Sequence, residues 1–213
     1  MASKSLTSRP LDLVYLIYFL SHIPATLLLD IQAIVPKSLL PDAIRGLGLK
    51  YINMTNDPVV GGATGLVGNP ANFAWLRSFM YLELFFQLPI FILGARALWK
   101  RKLSHYSILI HANLTSVTRS DTQTFYLPMI IYGASTATTT LACLAVVLNT
   151  PVTSSSAAAP DGTVTITSEQ RNLLLGSYLP YLLIPLVMAV DCSLRVSTML
   201  GRSQNAVLAS KTK

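Results

Sequence analysis

The chain has 213 residues, 52% of them hydrophobic and 12% charged, with a mean hydropathy of +0.52. A soluble domain carries about 25% charged residues, so this composition excludes an ordinary water-soluble globule. The net charge of +7 is spread over loops and tails without interleaved aromatics, which argues against nucleic-acid binding and for a membrane-topology signal.

Residues 1–10 form a polar, basic tail. The apolar run that follows is too long for a cleaved signal peptide and lacks a small-x-small site, so it predicts an uncleaved first transmembrane helix at 11–35. Further apolar segments predict helices at 73–99, 124–148 and 172–196, each longer than the ~20 residues that cross a ~30 Å hydrocarbon core. No segment alternates as a barrel strand would, and backbone groups in lipid must bond internally. The expected fold is therefore all-α: a four-helix transmembrane bundle filling 11–196, with tails at 1–10 and 197–213. Between the first two helices, SLLPDAIRGLGLKYI spaces its apolar residues as on one helix face and predicts a short amphipathic helix at the membrane interface. The glycine-rich GGATGLVGNPAN that follows reads as a flexible insert. It is no phosphate cradle, because no Lys-Ser/Thr follows and no strand precedes. The loop TPVTSSSAAAPDGTVTITSEQ reads as a mobile linker.

Orientation follows from the basic residues. Eleven of the sixteen Lys and Arg fall on the side of both termini and the 100–120 loop; Lys37, Arg45, Lys50, Arg77 and Arg171 fall on the other. Both termini are thus expected in the cytosol and the amphipathic helix on the lumenal side. Asn53 and Asn113 both begin glycosylation sequons, and only Asn53 would face the lumen.

Inside the spans, polar groups converge at one depth. Asp30 lies about one turn from the lumenal end of the first helix, and Glu83 lies about 15 Å in along the second. Gln87 shares the face of Glu83 at i+4. Tyr181 sits at nearly the same depth in the fourth helix, and Thr138, Thr139 and Thr140 approach it from the third. An isolated carboxylate in lipid costs about 2.5–3.5 kcal/mol, so two acids need a partner or a task. Close carboxyls cannot both ionise cheaply, so the couple is expected to share a proton and hold one negative charge, a receptor for a cationic amine or a sterol hydroxyl. His22 reads as a hydrogen-bonded packing residue. His105 and His111 have no ligand-spaced partner, Cys143 and Cys192 read as small apolar groups, and neither a metal nor a cofactor is expected. Pro24, Pro89, Pro128, Pro180 and Pro185 fall within helices and open space between them. Asp191 and Arg195 are spaced as an i,i+4 ion pair.

YFLSHIPATLLLDIQAIVP, the loop's NDP, SFMYLELFFQLPIF and YLPYLLIP, in that order, resemble the sigma-2 receptor (transmembrane protein 97) family. That family belongs to the EXPERA superfamily, together with the emopamil-binding sterol isomerases. The likeness covers the first, second and fourth helices. The third matches weakly, and the glycine-rich insert and the long second loop depart from the animal pattern, which makes the chain similar to the fungal efficient mitochondria targeting-associated proteins. The resemblance implies a multi-pass homodimer of the endoplasmic reticulum membrane with a lipid-facing cavity. It implies ligand-binding roles for Asp30, against the ligand amine, and for Glu83, bonded to Asp30, with Tyr181 and Gln87 beside them and Asp57 holding the architecture from the loop. The implied ligands are sterols, oxysterols and cationic amphiphiles, and the implied roles are sterol homeostasis and mitochondrial precursor handling. The main alternative is a sterol Δ8–Δ7 isomerase, which needs an acid and a base across a double bond. The isomerase branch has a fifth helix and a His-plus-Glu constellation, whereas the third helix here offers only Tyr126 and Tyr132 as ionisable groups, so a non-enzymatic binder ranks first. An adaptor acting through the basic loop and the tail ASKTK is a third reading.

Overall fold

The computed structural model describes residues 9–100, 121–154 and 163–211. The N-terminal tail, the stretch bearing His105, His111 and Asn113, and the Ser/Ala-rich centre of the second loop lie outside the described residues. The described chain is helical, and four spans are long and apolar enough to cross a membrane: Pro10–Ala33, Pro70–Trp99, Tyr126–Asn149 and Ser168–Gly201.

Helix α1 (Pro10–Leu28) starts on a proline, whose missing N–H would be unbonded in a first turn anyway. The α-helix does not continue to 35. It tightens into a 3-10 turn at Asp30–Ala33, where the Gln32 amide donates to the carbonyls of Leu28 (2.6 Å) and Ile44 (2.9 Å). One side chain thus satisfies a helix-end carbonyl and fastens the next element. That element, α2 (Asp42–Thr55), is the amphipathic helix the spacing predicts. Ile52 and Thr55 are buried, while Leu47, Leu49 and Met54 are exposed beside Lys50.

The glycine-rich stretch corrects the sequence reading. Instead of beginning a flexible insert, Gly61 to Thr64 belong to a short buried helix, α3 (Pro58–Thr64). Its glycines are there for contact: a Cβ on Gly62 would meet the Phe73 ring at 2.2 Å. The second loop is likewise fastened at its ends. Thr153 N–H bonds Ile166 O and Ile166 N–H bonds Pro151 O, both at 3.0 Å, and the Ile166 side chain is fully buried.

The second span comprises α4 (Ala74–Leu82), a π-turn at Glu83–Gln87 and α5 (Leu88–Lys100). In the π-turn, Leu88 N–H reaches back to Glu83 O, and Pro89 follows without a hydrogen to donate. Such wide turns are frequent at functional sites. The last spans are α6 (Asp121–Asn149) and α7 (Ser168–Lys211), so the chain stays helical through much of the expected tail. The two pack closely where Gly133 lies against α7; a Cβ there would stand 2.5 Å from Pro185 O.

Two apolar clusters result. Tyr15, Phe19, Phe91, Tyr132 and Met188 fill the bundle toward the α1 N-terminus. Val59, Leu76, Met80, Val147, Ile166 and Leu174 fill the end closed by α3. The polar groups meet between them.

Candidate functional site

A cavity of about 270 Å³ lies between the spans. Four elements bring its polar wall together: His22 and Asp30 from the first span, Glu83 and Gln87 from the π-turn, Thr136 and Thr140 from α6, and Tyr181 from α7. Leu29, Val59, Leu76, Phe79 and Met80 make the apolar remainder. Among the described residues, its lining contains no Lys or Arg.

The carboxyls of Asp30 and Glu83 lie within hydrogen-bonding reach of each other, a bond that two such oxygens can make only by sharing a proton. Both side chains are partly accessible by surface area because they face the cavity, although protein packs densely around them. Glu83 Oε1 accepts the Thr26 hydroxyl, and His22 Nε2 stands 3.6 Å from the same oxygen. His22, Thr26 and Asp30 follow at i, i+4 and i+8 and so share one face of the first span.

One turn on, Gln87 is buried. Its Oε1 accepts from Thr136 at 3.1 Å, and its Nε2 reaches Ser135 Oγ at 3.5 Å. Thr140 donates to Tyr181 O at 3.3 Å, whereas Thr138 is exposed and bonds back to its own helix. Tyr181 meets the cavity with its ring, set edge-on to His22 at 4.8 Å, while its hydroxyl bonds Ser21.

Asp57 lies elsewhere. It is fully buried and absent from the cavity wall. As N-cap of α3 it accepts from Val59 N–H (2.8 Å) and Val60 N–H (3.2 Å), and it also takes the hydroxyls of Tyr51 (2.6 Å) and Tyr178 (2.9 Å). Burial pushes its carboxyl above the usual range, and the four donors pull it back. Both tyrosines line the cavity, so Asp57 acts on the site by fixing them. The geometry gives it a bracing position and no surface for a ligand.

Sequence reasoning missed Tyr51, Tyr178, Thr26 and Tyr132, and read His22 as packing. The spacing of His22 and Thr26 from Asp30 on one helix face was the available signal. For Tyr178 there was only its place one turn before Tyr181. Among the described residues, no three His, Cys, Asp or Glu side chains gather as a metal site.

Comparison with known proteins places this geometry in context. The model of the EXPERA (expanded EBP) superfamily matches residues 44–192. The sigma intracellular receptor 2 of Xenopus tropicalis is 32% identical over 181 residues, covering 85% of this chain and 86% of the relative. The human sigma intracellular receptor 2 is 32% identical over 184 residues, covering 86% and 88%. Efficient mitochondria targeting-associated protein 19 of Schizosaccharomyces pombe is 26% identical over 185 residues, covering 87% and 76%.

Proposed function

The chain belongs to the EXPERA superfamily, and on that premise we propose that it is a receptor-like membrane protein whose intramembrane acid cavity takes a sterol, an oxysterol or a cationic amphiphile. The observation that carries the reading is the Asp30–Glu83 couple on the wall of a cavity whose other described polar groups are neutral hydroxyls, an amide and an imidazole, with no Lys or Arg among the described residues that line it. A couple sharing one proton presents one negative charge for an ammonium head and one donor for a hydroxyl. Tyr181 and Gln87 complete the ligand wall, and Asp57 keeps it in shape. The names of the relatives support a receptor role. The reading takes the protein as a homodimer of the endoplasmic reticulum membrane, which the family resemblance implies, with both termini cytosolic, which the bias of Lys and Arg implies. Sterol homeostasis and the handling of mitochondrial precursor proteins are the cellular roles this reading carries.

The test is saturable binding of a labelled cationic amphiphile to the purified protein in lipid nanodiscs. Asp30→Asn should weaken it by at least about 30-fold, the usual consequence of removing one partner of a buried charge pair. Equal binding by the variant, or no saturable binding by the native chain, would overturn the reading. One observation favours the isomerase as a second reading: an imidazole and a carboxyl, a potential base and acid, stand 3.6 Å apart on the same cavity. Conversion of a labelled Δ8 sterol by the pure protein would put that reading first.

A further inference from the structure

His22 is a buried titratable group that the proposed ligand contacts do not use. It sits with its face stacked on Phe91, ring centres 4.4 Å apart, and with the rings of Tyr18 and Tyr181 standing edge-on at 5.3 and 4.8 Å. Nε2 faces Glu83 Oε1 at 3.6 Å and Nδ1 faces the Tyr132 hydroxyl at 3.3 Å. The Tyr132 hydroxyl also lies 3.0 Å from that of Tyr18, so when its single hydrogen goes to Tyr18 its oxygen is open to His22. In that arrangement both imidazole nitrogens look at oxygens able to accept, and the ring can carry a hydrogen on each. The titratable groups facing it, among the described residues, are Glu83 from the π-turn, with Asp30 bonded behind it, Tyr18 from α1, Tyr132 from α6 and Tyr181 from α7. None of them is a cation.

We propose that His22 is the resident counter-ion of the empty acid couple, and that a cationic ligand enters by replacing its charge. The inference rests on the binding reading above and deepens it. One net negative charge in a lipid-embedded cavity is costly, and an imidazolium beside Glu83 offsets it. A second cation beside Asp30 would make the imidazolium superfluous. The exchange balances: protonated His22 and a free ammonium ligand give neutral His22, the bound ligand and one proton in water. The Asp30–Glu83 couple keeps its shared proton throughout, and His22 retains the Nδ1 hydrogen bonded to Tyr132. A neutral hydroxylated ligand releases no proton. The site thus distinguishes amines from alcohols by pH: affinity for a permanently charged amphiphile falls by up to about tenfold per unit of falling pH wherever His22 is charged in the empty protein, while affinity for a neutral sterol stays level.

The test uses the full chain in nanodiscs with nitrogen-15 histidine and a quaternary ammonium amphiphile, whose own charge does not titrate. The His22 resonances are those missing from His22→Phe; if that variant fails to fold, His105→Gln combined with His111→Gln leaves His22 as the sole histidine. Near pH 7, the empty protein should show two protonated ring nitrogens at His22. Saturation should convert it to a ring protonated at Nδ1 alone, and calorimetry in buffers of different ionisation heat should count one proton released. Saturable binding with an unchanged His22, or a proton released without conversion of His22, overturns this inference and leaves the binding reading standing. Absence of saturable binding overturns both.

Discussion

The two ends of α1 carry polar clusters built from similar residues and balanced in opposite ways. At its start, Arg9 donates to Asp12 at 2.5 Å, and Arg195 reaches Asp12 at 3.3 Å while forking onto Asp191 at 3.0 and 2.7 Å. Tyr15 adds a hydrogen bond to Asp191, and the Arg195 guanidinium lies 5.7 Å from the Tyr126 ring centre. Two arginines face two aspartates there, so the charges of α1 and α7 close on each other. At its far end, Asp30 and Glu83 face a cavity whose lining, among the described residues, includes neither Lys nor Arg. The first cluster is finished without a guest. The second has an acid couple, a shared proton and open space, and so has capacity left for a ligand. Acidity alone does not distinguish a latch from a receptor; compensation by a fixed cation does.

The largest way to break this contrast is through the brace. Asp57→Ala removes the α3 cap and leaves the Tyr51 and Tyr178 hydroxyls without their acceptor. Caps are worth about 1 kcal/mol and each buried unsatisfied donor costs about 1–3 kcal/mol. The expected loss is about 3 kcal/mol or more, seen as a lowered melting temperature of the purified protein, together with loss of amphiphile binding as both tyrosines move. A variant that melts and binds like the native chain would show that the cavity wall stands without its brace.

How far the sequence revealed this brace depends on the range of the contact. Spans could be counted because bilayer thickness imposes length and hydrophobicity on each segment alone. Asp30, Glu83, Gln87 and Tyr181 could be brought to one depth because helical rise is fixed. Asp57 could be seen as an acid behind the first span, but its partner Tyr178 is 121 residues away, and no local rule joins them. Gly61 and Gly62 are ambiguous in sequence because glycine signals either freedom or close approach, and only Val67 and Ile52 against the first and Phe73 against the second decide which. His22 looked like packing because its meaning comes from Glu83 across the bundle. The π-turn left no mark beyond a following proline.

A smaller effect separates the ends cleanly. Arg195→Met removes the cation shared by Asp12 and Asp191 but keeps much of the apolar stem. Asp12 retains Arg9, while Asp191 keeps only the Tyr15 hydroxyl among these contacts. Arg195 is about one-third exposed at 31%, so solvent softens the loss to about 1–2 kcal/mol. Cation affinity should stay within about twofold of the native value, since a single good contact elsewhere would move it further. A drop in affinity comparable to that of Asp30→Asn would mean that the two clusters communicate and that the latch belongs to the site.

The smallest expected effect is the sharpest. In a couple sharing one proton, the carboxyl nearer the ligand carries the charge and its partner donates the hydrogen bond. Glu83→Gln keeps a donor toward Asp30 and an acceptor toward Thr26 and His22, and it removes the freedom to move the shared proton. Cation affinity should therefore change by no more than about threefold, less than 1 kcal/mol. Asp30→Asn, an equally conservative change on the other member, costs at least about 30-fold. Two isosteric neutralisations of adjacent acids with such unequal results are what an asymmetric couple produces, and binding isotherms of both variants side by side measure the asymmetry. Equal losses would mean that the negative charge belongs to both carboxyls at once. The ammonium head would then sit between them, and the division of labour between Asp30 and Glu83 would have to be given up.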